Sequence, residues 1–146
     1  MTNNYKAFES SKKKIRSVDR LKNDNDFELV YGKGITITSE DKKIKAKYLF
    51  IKKTENGSSK LGVTVISQKG NSIWRNRLKR ILREAVIKEE TTLLNIADQK
   101  NSNLLVVFSP HLINQNNSKK IFLNDIKPAV LNILKSLIKT ESSIRN

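Results

Sequence analysis

The sequence predicts an α+β fold, a two-layer sandwich in which helices cover a four-stranded sheet in the order α-β-β-β-α-β-α. Apolar residues recur at helical spacing in three segments, and short β-branched runs lie between the first two. An unbroken apolar run precedes the third segment. Because the chain has no internal repeat and no sign of a second domain, we assign these elements to one domain at residues 18–139. A flexible basic arm at 1–17 and a tail at 140–146 flank it.

The first helix is predicted to be short. Asn23 is a favourable N-cap, and the carboxylates that follow it suit the positive end of a helix. Gly32 and Gly34 then end the segment. Apolar residues at i, i+3 and i+4 form one face of this helix, namely Phe27, Val30 and Tyr31. That face is expected to pack on the sheet.

Three strands in meander order are predicted after the first helix. Residues 35–38 alternate as a strand, and residues 48–54 are a better strand. The intervening residues 40–47 are a charged loop or a ragged extension of the second strand. Asn56-Gly57 supplies turn chemistry before a β-branched run at residues 61–67.

The aromatic residues of these elements allow two interpretations. Phe27 and Tyr31 either anchor the first helix in the core or form a platform on which unpaired bases stack. In the second strand, Tyr48 shares one face with the next aromatic residue, whereas Leu49 and Ile51 share the other face. One face must pack on the helices. If the other is open, it would suit single-stranded nucleic acid.

A basic amphipathic helix is predicted after the Gly70-Asn71-Ser72 interruption, capped by Asn71 or Ser72 and continuing to about Glu90. Its apolar stripe has the spacing of a helix packed on a core and consists of Trp74, Leu78, Ile81, Leu82 and Ala85. The outward side carries a column of cations at i, i+4 and i+8, with two further polar residues beside it: Arg75, Lys79, Arg83, Asn76 and Arg80. Glu84 is the single acid of this stretch, so the cations require a neutralising partner from outside the helix.

The last two elements complete the predicted core. Residues 104–108 are uniformly apolar, as in a strand that is buried on both faces. Residues 118–139 then carry apolar residues at near-helical spacing, which predicts a final helix over the sheet. Pro128 fits the first turn of that helix if Asn124 or Asp125 is the N-cap.

Charge indicates the class of partner. The chain has 29 Lys and Arg residues against 14 Asp and Glu residues, a net charge of +15. Such an excess of positive charge favours a polyanionic binding partner. Nucleic acid is a better candidate than a membrane surface. No apolar run approaches the length of a membrane span, and the N-terminus lacks the apolar run of a signal peptide. A soluble, cytoplasmic protein with no membrane partner is the expectation.

Catalytic chemistry in the protein itself is not indicated. There is no cysteine, a single histidine, no phosphate-binding loop and no nucleophile triad, so we expect no catalytic residue, no metal site and no small-molecule substrate. Asp24, Asp26 and Glu28 could be imagined as a nuclease metal site, but residues at i, i+2 and i+4 do not share one helix face. His111 is most simply a loop residue beside Pro110.

Three consecutive motifs form one specific pattern: Leu61-Gly62-Val63-Thr64-Val65, Gly70-Asn71-Ser72-Ile73-Trp74, and Arg75-Asn76-Arg77-Leu78-Lys79-Arg80-Ile81-Leu82-Arg83-Glu84-Ala85. In these motifs the sequence resembles the protein component of bacterial ribonuclease P. Residues 26–34 and 104–110 are similar to that family's first helix and buried strand. The likeness covers about residues 18–139.

The resemblance implies a left-handed β-α-β crossover, an exception to the usual rule. It implies an endoribonuclease whose RNA subunit holds the catalytic groups and Mg²⁺, while the protein binds that RNA and the 5′ leader of precursor tRNA and broadens substrate use. By matching position, the RNA-binding residues are Lys69, Arg75, Asn76, Arg77, Lys79, Arg80 and Arg83. The leader-binding cleft is then formed by Phe27, Tyr31, Leu49 and Ile51.

Some positions depart from the family pattern. The family has two adjacent lysines after the third strand, whereas this chain has Lys69 alone in that region, and Ile51 replaces a frequent tyrosine. The alternative hypothesis is a structural RNA-binding protein of ribosomal type with no role in tRNA processing. A protein-only nuclease and a helix-turn-helix DNA-binding protein are further alternatives, the latter lacking the closely preceding helix that its motif requires.

Overall fold

The computed structural model of the chain describes residues 17–55 and 57–145, with side chains described up to residue 140. The elements, in chain order, are β1 (Asp19–Arg20), α1 (Asp24–Lys33), β2 (Ile35–Thr38), β3 (Ile44–Lys52), β4 (Lys60–Val63), a 3₁₀ turn (Ser67–Lys69), α2 (Ser72–Ile87), α3 (Glu90–Gln99), β5 (Ser102–Pro110) and α4 (Leu123–Arg145). The predicted basic arm at 1–17 lies outside the described residues except for its last residue.

The α+β class is confirmed, but the predicted four-stranded sheet is wrong. The sheet has five strands in the order β1-β4-β5-β3-β2. The β2–β3 hairpin is antiparallel as expected, whereas β4 does not continue the meander. It pairs in parallel with β5 on one side and with β1 on the other. β5 takes the central position because its side chains are apolar on both faces.

Capping explains where the first two helices begin. The Asn23 side chain accepts a hydrogen bond from the backbone N–H of Asn25 at 2.8 Å, and α1 ends against Gly34. The Asn71 side chain accepts from the N–H of Trp74 at 2.9 Å, so Asn71 rather than Ser72 is the cap of α2. The basic helix ends at Ile87, slightly earlier than predicted, and a separate helix that was not predicted, α3, follows it.

The last helix differs from its prediction at both ends. It begins at Leu123, and the N–H of Phe122 donates to Asp125 Oδ2 at 3.0 Å, half of a capping box. Pro128 therefore lies inside the helix and forfeits one intrahelical hydrogen bond, contrary to the predicted first-turn position. The helix continues through residues 140–145, which the sequence assigned to a tail.

Helices cover both faces of the sheet, so the predicted two-layer arrangement is incomplete. Alternate residues of β5 point to opposite faces: Val106 and Phe108 join the large core beneath α2, α3 and α4, whereas Leu105 and Val107 join a small core beneath α1. Val30 of α1 is fully buried in the small core. This leaves the sheet face on either side of α1 open for contacts. Within the described residues, no helix is long and apolar enough to cross a membrane.

Candidate nucleic-acid interface

Two aromatic side chains of α1 form an open stacked pair. The ring centroids of Phe27 and Tyr31 are 6.3 Å apart, with an interplanar angle of 22°. Phe27 packs closely on β4 at Gly62, where an added Cβ would lie only 3.0 Å from its ring. The Tyr31 hydroxyl hydrogen-bonds to the Thr64 hydroxyl at 3.0 Å. Phe27 thus also packs against the small core, so the two interpretations of this pair are compatible. We call the surface around the pair the aromatic cleft.

One end of the aromatic cleft is a cationic cavity of about 420 Å³. Phe27 forms part of its wall, and none of the described residues that line it is acidic. Its cations come from the start of the domain and from α2: Arg20, Lys22, Lys79 and Arg83. Partial burial lowers the pKa of Arg83 below its usual value, and the positive charge of Arg20 lowers it further. An anion bound there would relieve this repulsion.

The other end of the cleft is a cavity of about 330 Å³ beside Tyr31. Lys45, Lys69 and His111 contribute to its wall. The Lys69 ammonium donates to the backbone carbonyl of His111, which fixes this lysine at the rim while leaving it protons for a phosphate. Lys47 also borders the ring pair, since its ammonium donates to the Tyr31 carbonyl at 2.9 Å. The cleft therefore has cations at both ends and aromatic rings between them.

The cations of α2 do not all face the cleft. Lys79 and Arg83 line the cationic cavity, whereas Arg75 is held near the helix start, where its Nε donates to the Gly70 carbonyl at 3.0 Å. Asn76 and Arg80 are exposed on the outward side. Arg77 lies on the opposite flank. Its Nε and Nη2 both donate to the Ile121 carbonyl, at 2.9 and 2.7 Å.

Leu49 and Ile51 lie on the same sheet face as α1. Leu49 pairs with Leu105 in the register of β3 and β5, and Ile51 packs against the small core. Neither residue lines the two cavities of the aromatic cleft. The structure therefore brings Phe27 and Tyr31 together with cations of α2 and places the two aliphatic residues on the β3 side of α1.

Comparison with known proteins assigns the chain to a family. A family model described as ribonuclease P matches residues 15–130. The chain belongs to the ribonuclease P protein family. It is 32% identical over 126 residues to the ribonuclease P protein component of Clostridioides difficile strain 630, an alignment that covers 85% of this chain and 93% of that protein. The corresponding protein of Macrococcus caseolyticus is 26% identical over 116 residues, or 80% of this chain and 87% of that protein.

Solved structures of the same family share the fold. The ribonuclease P protein of Thermotoga maritima aligns with a TM-score of 0.62 at 21% identity, covering 81% of this chain and 96% of that one. The Staphylococcus aureus protein aligns with a TM-score of 0.58 at 20% identity, covering 80% and 92%. The chain is thus a subunit of ribonuclease P, an RNA-binding protein of tRNA processing. Its partner in the ribonucleoprotein is RNA.

Several residues of the ribonuclease P cleft were missed by reasoning from sequence. Arg20 and Lys22 reach the cleft because Leu21 between them is buried in the small core, and β1 is too short to show a strand pattern. Gly62 leaves room for the Phe27 ring against β4, a role that only the position of the ring reveals. The sequence signal that could have indicated Arg20 and Lys22 is their alternation with the apolar Leu21.

Asp26, one of the three acidic residues considered as a metal site, and the histidine both have structural contacts in this family member. Asp26 Oδ2 accepts a hydrogen bond from Lys60 Nζ at 3.1 Å, which joins α1 to β4. His111 is a loop residue, as predicted, and its N–H donates to the Lys43 carbonyl at 2.7 Å. In the part of the chain that the structure describes, no group of three His, Asp or Glu residues is arranged to hold a metal ion.

Proposed function

We propose that the chain binds the 5′ leader of precursor tRNA in the aromatic cleft and the catalytic RNA of ribonuclease P through α2. The observation that carries this proposal is the stacked Phe27–Tyr31 pair beside a cavity that is lined by cations and, among the described residues, by no acid. Rings and cations in this order match a single strand, whose bases stack while its phosphates follow a positive groove.

The leader suits the cleft better than a duplex does. Tyr31 is 48% exposed, so part of its ring is available to an unpaired base. Base stacking on an aromatic ring is worth about 1–3 kcal/mol per base and depends little on sequence. Lys79 and Arg83 at one end and Lys69 at the other lie where backbone phosphates would follow the stacked bases. A cleft of this kind would accept leaders of varied sequence and so broaden substrate use.

The catalytic RNA is proposed to meet the outward side of α2. Asn76 and Arg80 are exposed there, and the neighbouring Arg75 keeps its terminal guanidinium nitrogens available. We infer that the RNA carries the catalytic groups and its Mg²⁺ ions, which hydrolyse one phosphodiester bond. The protein would supply positive charge and orientation. Because precursor tRNA is made in the bacterial cytoplasm, we infer that the chain acts there. We also propose, from the family resemblance, that the β4–α2–α3–β5 crossover is left-handed.

Precursor tRNA cleavage tests the proposal. The substrate is incubated with Mg²⁺ and the protein alone, the cognate ribonuclease P RNA alone, or both. We expect cleavage at the mature 5′ end with the RNA, stimulated by the protein at physiological salt, and no cleavage by the protein alone. Absence of stimulation would favour a structural RNA-binding protein of ribosomal type. Cleavage by the protein without RNA would indicate a protein-only nuclease.

A further inference from the structure

An exposed phenylalanine lies on the flank of α2 that faces away from the aromatic cleft. Phe122 is 56% exposed, although Ile121 directly before it is only 1% exposed. The Arg77 guanidinium carbon lies 5.8 Å from the centre of the Phe122 ring, a cation–π arrangement. The same guanidinium donates two hydrogen bonds to the Ile121 carbonyl. Arg77 therefore holds the backbone beside Phe122 and covers part of its ring.

The segment that carries Phe122 is fixed along α2. Trp74 Nε1 donates to the Ser118 carbonyl at 2.8 Å, so Trp74 and Arg77, one turn apart on α2, bind the two ends of the stretch 118–121. The N–H of Phe122 is also held, because it donates to Asp125 Oδ2. A ring presented by a fixed backbone loses little freedom when a partner binds it.

The surroundings of Phe122 are positively charged. Lys119 and Lys120 are exposed, and neither has a hydrogen-bond or ion-pair partner among the described residues. Asp125 is the nearest acid in sequence, and one of its oxygens already accepts the Phe122 N–H. We call Arg77, Lys119, Lys120 and Phe122 the Phe122 patch. One exposed ring among cations is too small an apolar surface for a stable protein interface, which needs about 800 Å² on each partner. It has the chemistry of a single stacking site for a nucleic-acid base.

We propose that an unpaired base of the ribonuclease P RNA stacks on the exposed part of the Phe122 ring, with Lys119 and Lys120 against the flanking phosphates. This inference rests on the proposed function, because it assumes that α2 meets that RNA. The leader is not the occupant. Arg77 lies about 200° around α2 from Lys79, which lines the cationic cavity of the aromatic cleft, so the body of a helix about 10–12 Å wide separates the Phe122 patch from that cleft.

Substitution of Phe122 tests the stacking site. The dissociation constant of the protein for the cognate ribonuclease P RNA is measured for the wild type and for Phe122→Tyr, Phe122→Leu and Phe122→Ala. We expect Phe122→Leu and Phe122→Ala to weaken binding about tenfold, and Phe122→Tyr to stay within about twofold because it keeps the ring. Leu131→Ala is the matched control, since Leu131 is also an exposed apolar residue, 37% exposed, on α4. Circular dichroism melting confirms that each variant folds.

The leucine variant decides the outcome. Leucine keeps an apolar side chain beside Arg77 but has no aromatic face. If Phe122→Leu binds the RNA as tightly as the wild type, the ring is only a packing partner of Arg77 and the inference is wrong. A tenfold loss in Phe122→Leu with none in Leu131→Ala supports the stacking site.

The salt dependence of binding tests the two lysines. Lys119→Gln/Lys120→Gln should reduce the slope of log affinity against log salt by about 1.4–1.8, because each lost phosphate contact accounts for about 0.7–0.9. Lys135→Gln/Lys139→Gln is the matched control, since it removes two exposed lysines of α4. An equal reduction in both double variants would mean that only net charge matters, which contradicts a local site.

Failure of this inference differs from failure of the proposed function. If the wild-type protein neither binds ribonuclease P RNA nor stimulates cleavage, the proposed function fails. If the wild type does both and Arg83→Ala weakens binding of precursor tRNA that carries a leader, while the Phe122 variants bind RNA normally, only the Phe122 patch is wrong. The preference of the holoenzyme for leader-bearing over leaderless tRNA should be unchanged in Phe122→Leu.

Discussion

The two flanks of α2 carry the same residue types and have different contacts. On the cleft flank, Lys79 and Arg83 line a cavity to which no acidic side chain of the described ranges contributes. On the opposite flank, Arg77 is committed to the Ile121 carbonyl and to the Phe122 ring. Arg75 and Arg77 are two residues apart in one basic motif, yet they lie on different sides of the helix. An arginine in this motif is therefore available to RNA or engaged in the fold according to its position around the helix.

Leu78→Ala should have the largest effect because it removes the support of both flanks. Leu78 of α2 is fully buried in the large core. We expect a loss of roughly 2–5 kcal/mol in the free energy of unfolding, measured by urea denaturation. Arg80→Ala is the control, because Arg80 is exposed and its removal should change stability by no more than about 0.5 kcal/mol. Equal stability of the two variants would contradict the assigned helix face.

Arg77→Ala should have the next largest effect and should act on stability. It leaves the Ile121 carbonyl without two donated hydrogen bonds, so we expect a loss of about 1–2 kcal/mol in the free energy of unfolding. Arg77→Lys should recover part of this loss, since an ammonium can donate to the carbonyl but does not reproduce the planar fork. Unchanged stability of Arg77→Ala would show that its contacts with the segment before α4 contribute nothing to the fold.

Arg83→Ala should show the opposite pattern. Its side chain lies among other cations in the cleft, so removing it should leave stability nearly unchanged. We expect the holoenzyme to bind precursor tRNA about tenfold more weakly, or about 1.4 kcal/mol, because one charge-assisted phosphate contact is lost. Leaderless tRNA serves as the control substrate and should bind as before. A similar loss for both substrates would place Arg83 against a part of the complex other than the leader.

Local sequence signals predicted the parts of the fold that depend on neighbours in the chain. The cap at Asn23 and the i, i+4 spacing of Phe27 and Tyr31 correctly placed α1 and its ring pair. α3 was not predicted: the basic helix was expected to end at about Glu90, and the residues between it and the polar loop at 98–103 were assigned to no element. β1 is only two residues long and was missed because so short a strand has no readable period.

Those local signals could not predict contacts between residues that are far apart in the sequence. The meander prediction was wrong because β5 lies between β4 and β3 in the sheet and pairs with both. β4 ends at residue 63 and β5 begins only at residue 102, so no local signal joins the two strands. Likewise, a helical wheel places Arg77 on a flank of α2, but its acceptor is 44 residues away in sequence. The role of Arg77 at the RNA surface stays a prediction, and its role in the fold came only from the structure.

Gly62→Ala should have the smallest effect. It tests whether leader binding depends on the close packing of the Phe27 ring against Gly62. A Cβ at this position would lie 3.0 and 3.1 Å from two atoms of the Phe27 ring, so the ring must shift by a few tenths of an ångström. Alanine is also a better strand residue than glycine by about 0.5–1 kcal/mol, which offsets part of the packing cost. We therefore expect stability to change little, while leader binding weakens about two- to threefold as the ring pair is displaced. Affinity for ribonuclease P RNA should not change, because the opposite flank of α2 is untouched. A loss of RNA affinity in Gly62→Ala would show that the two flanks are not independent.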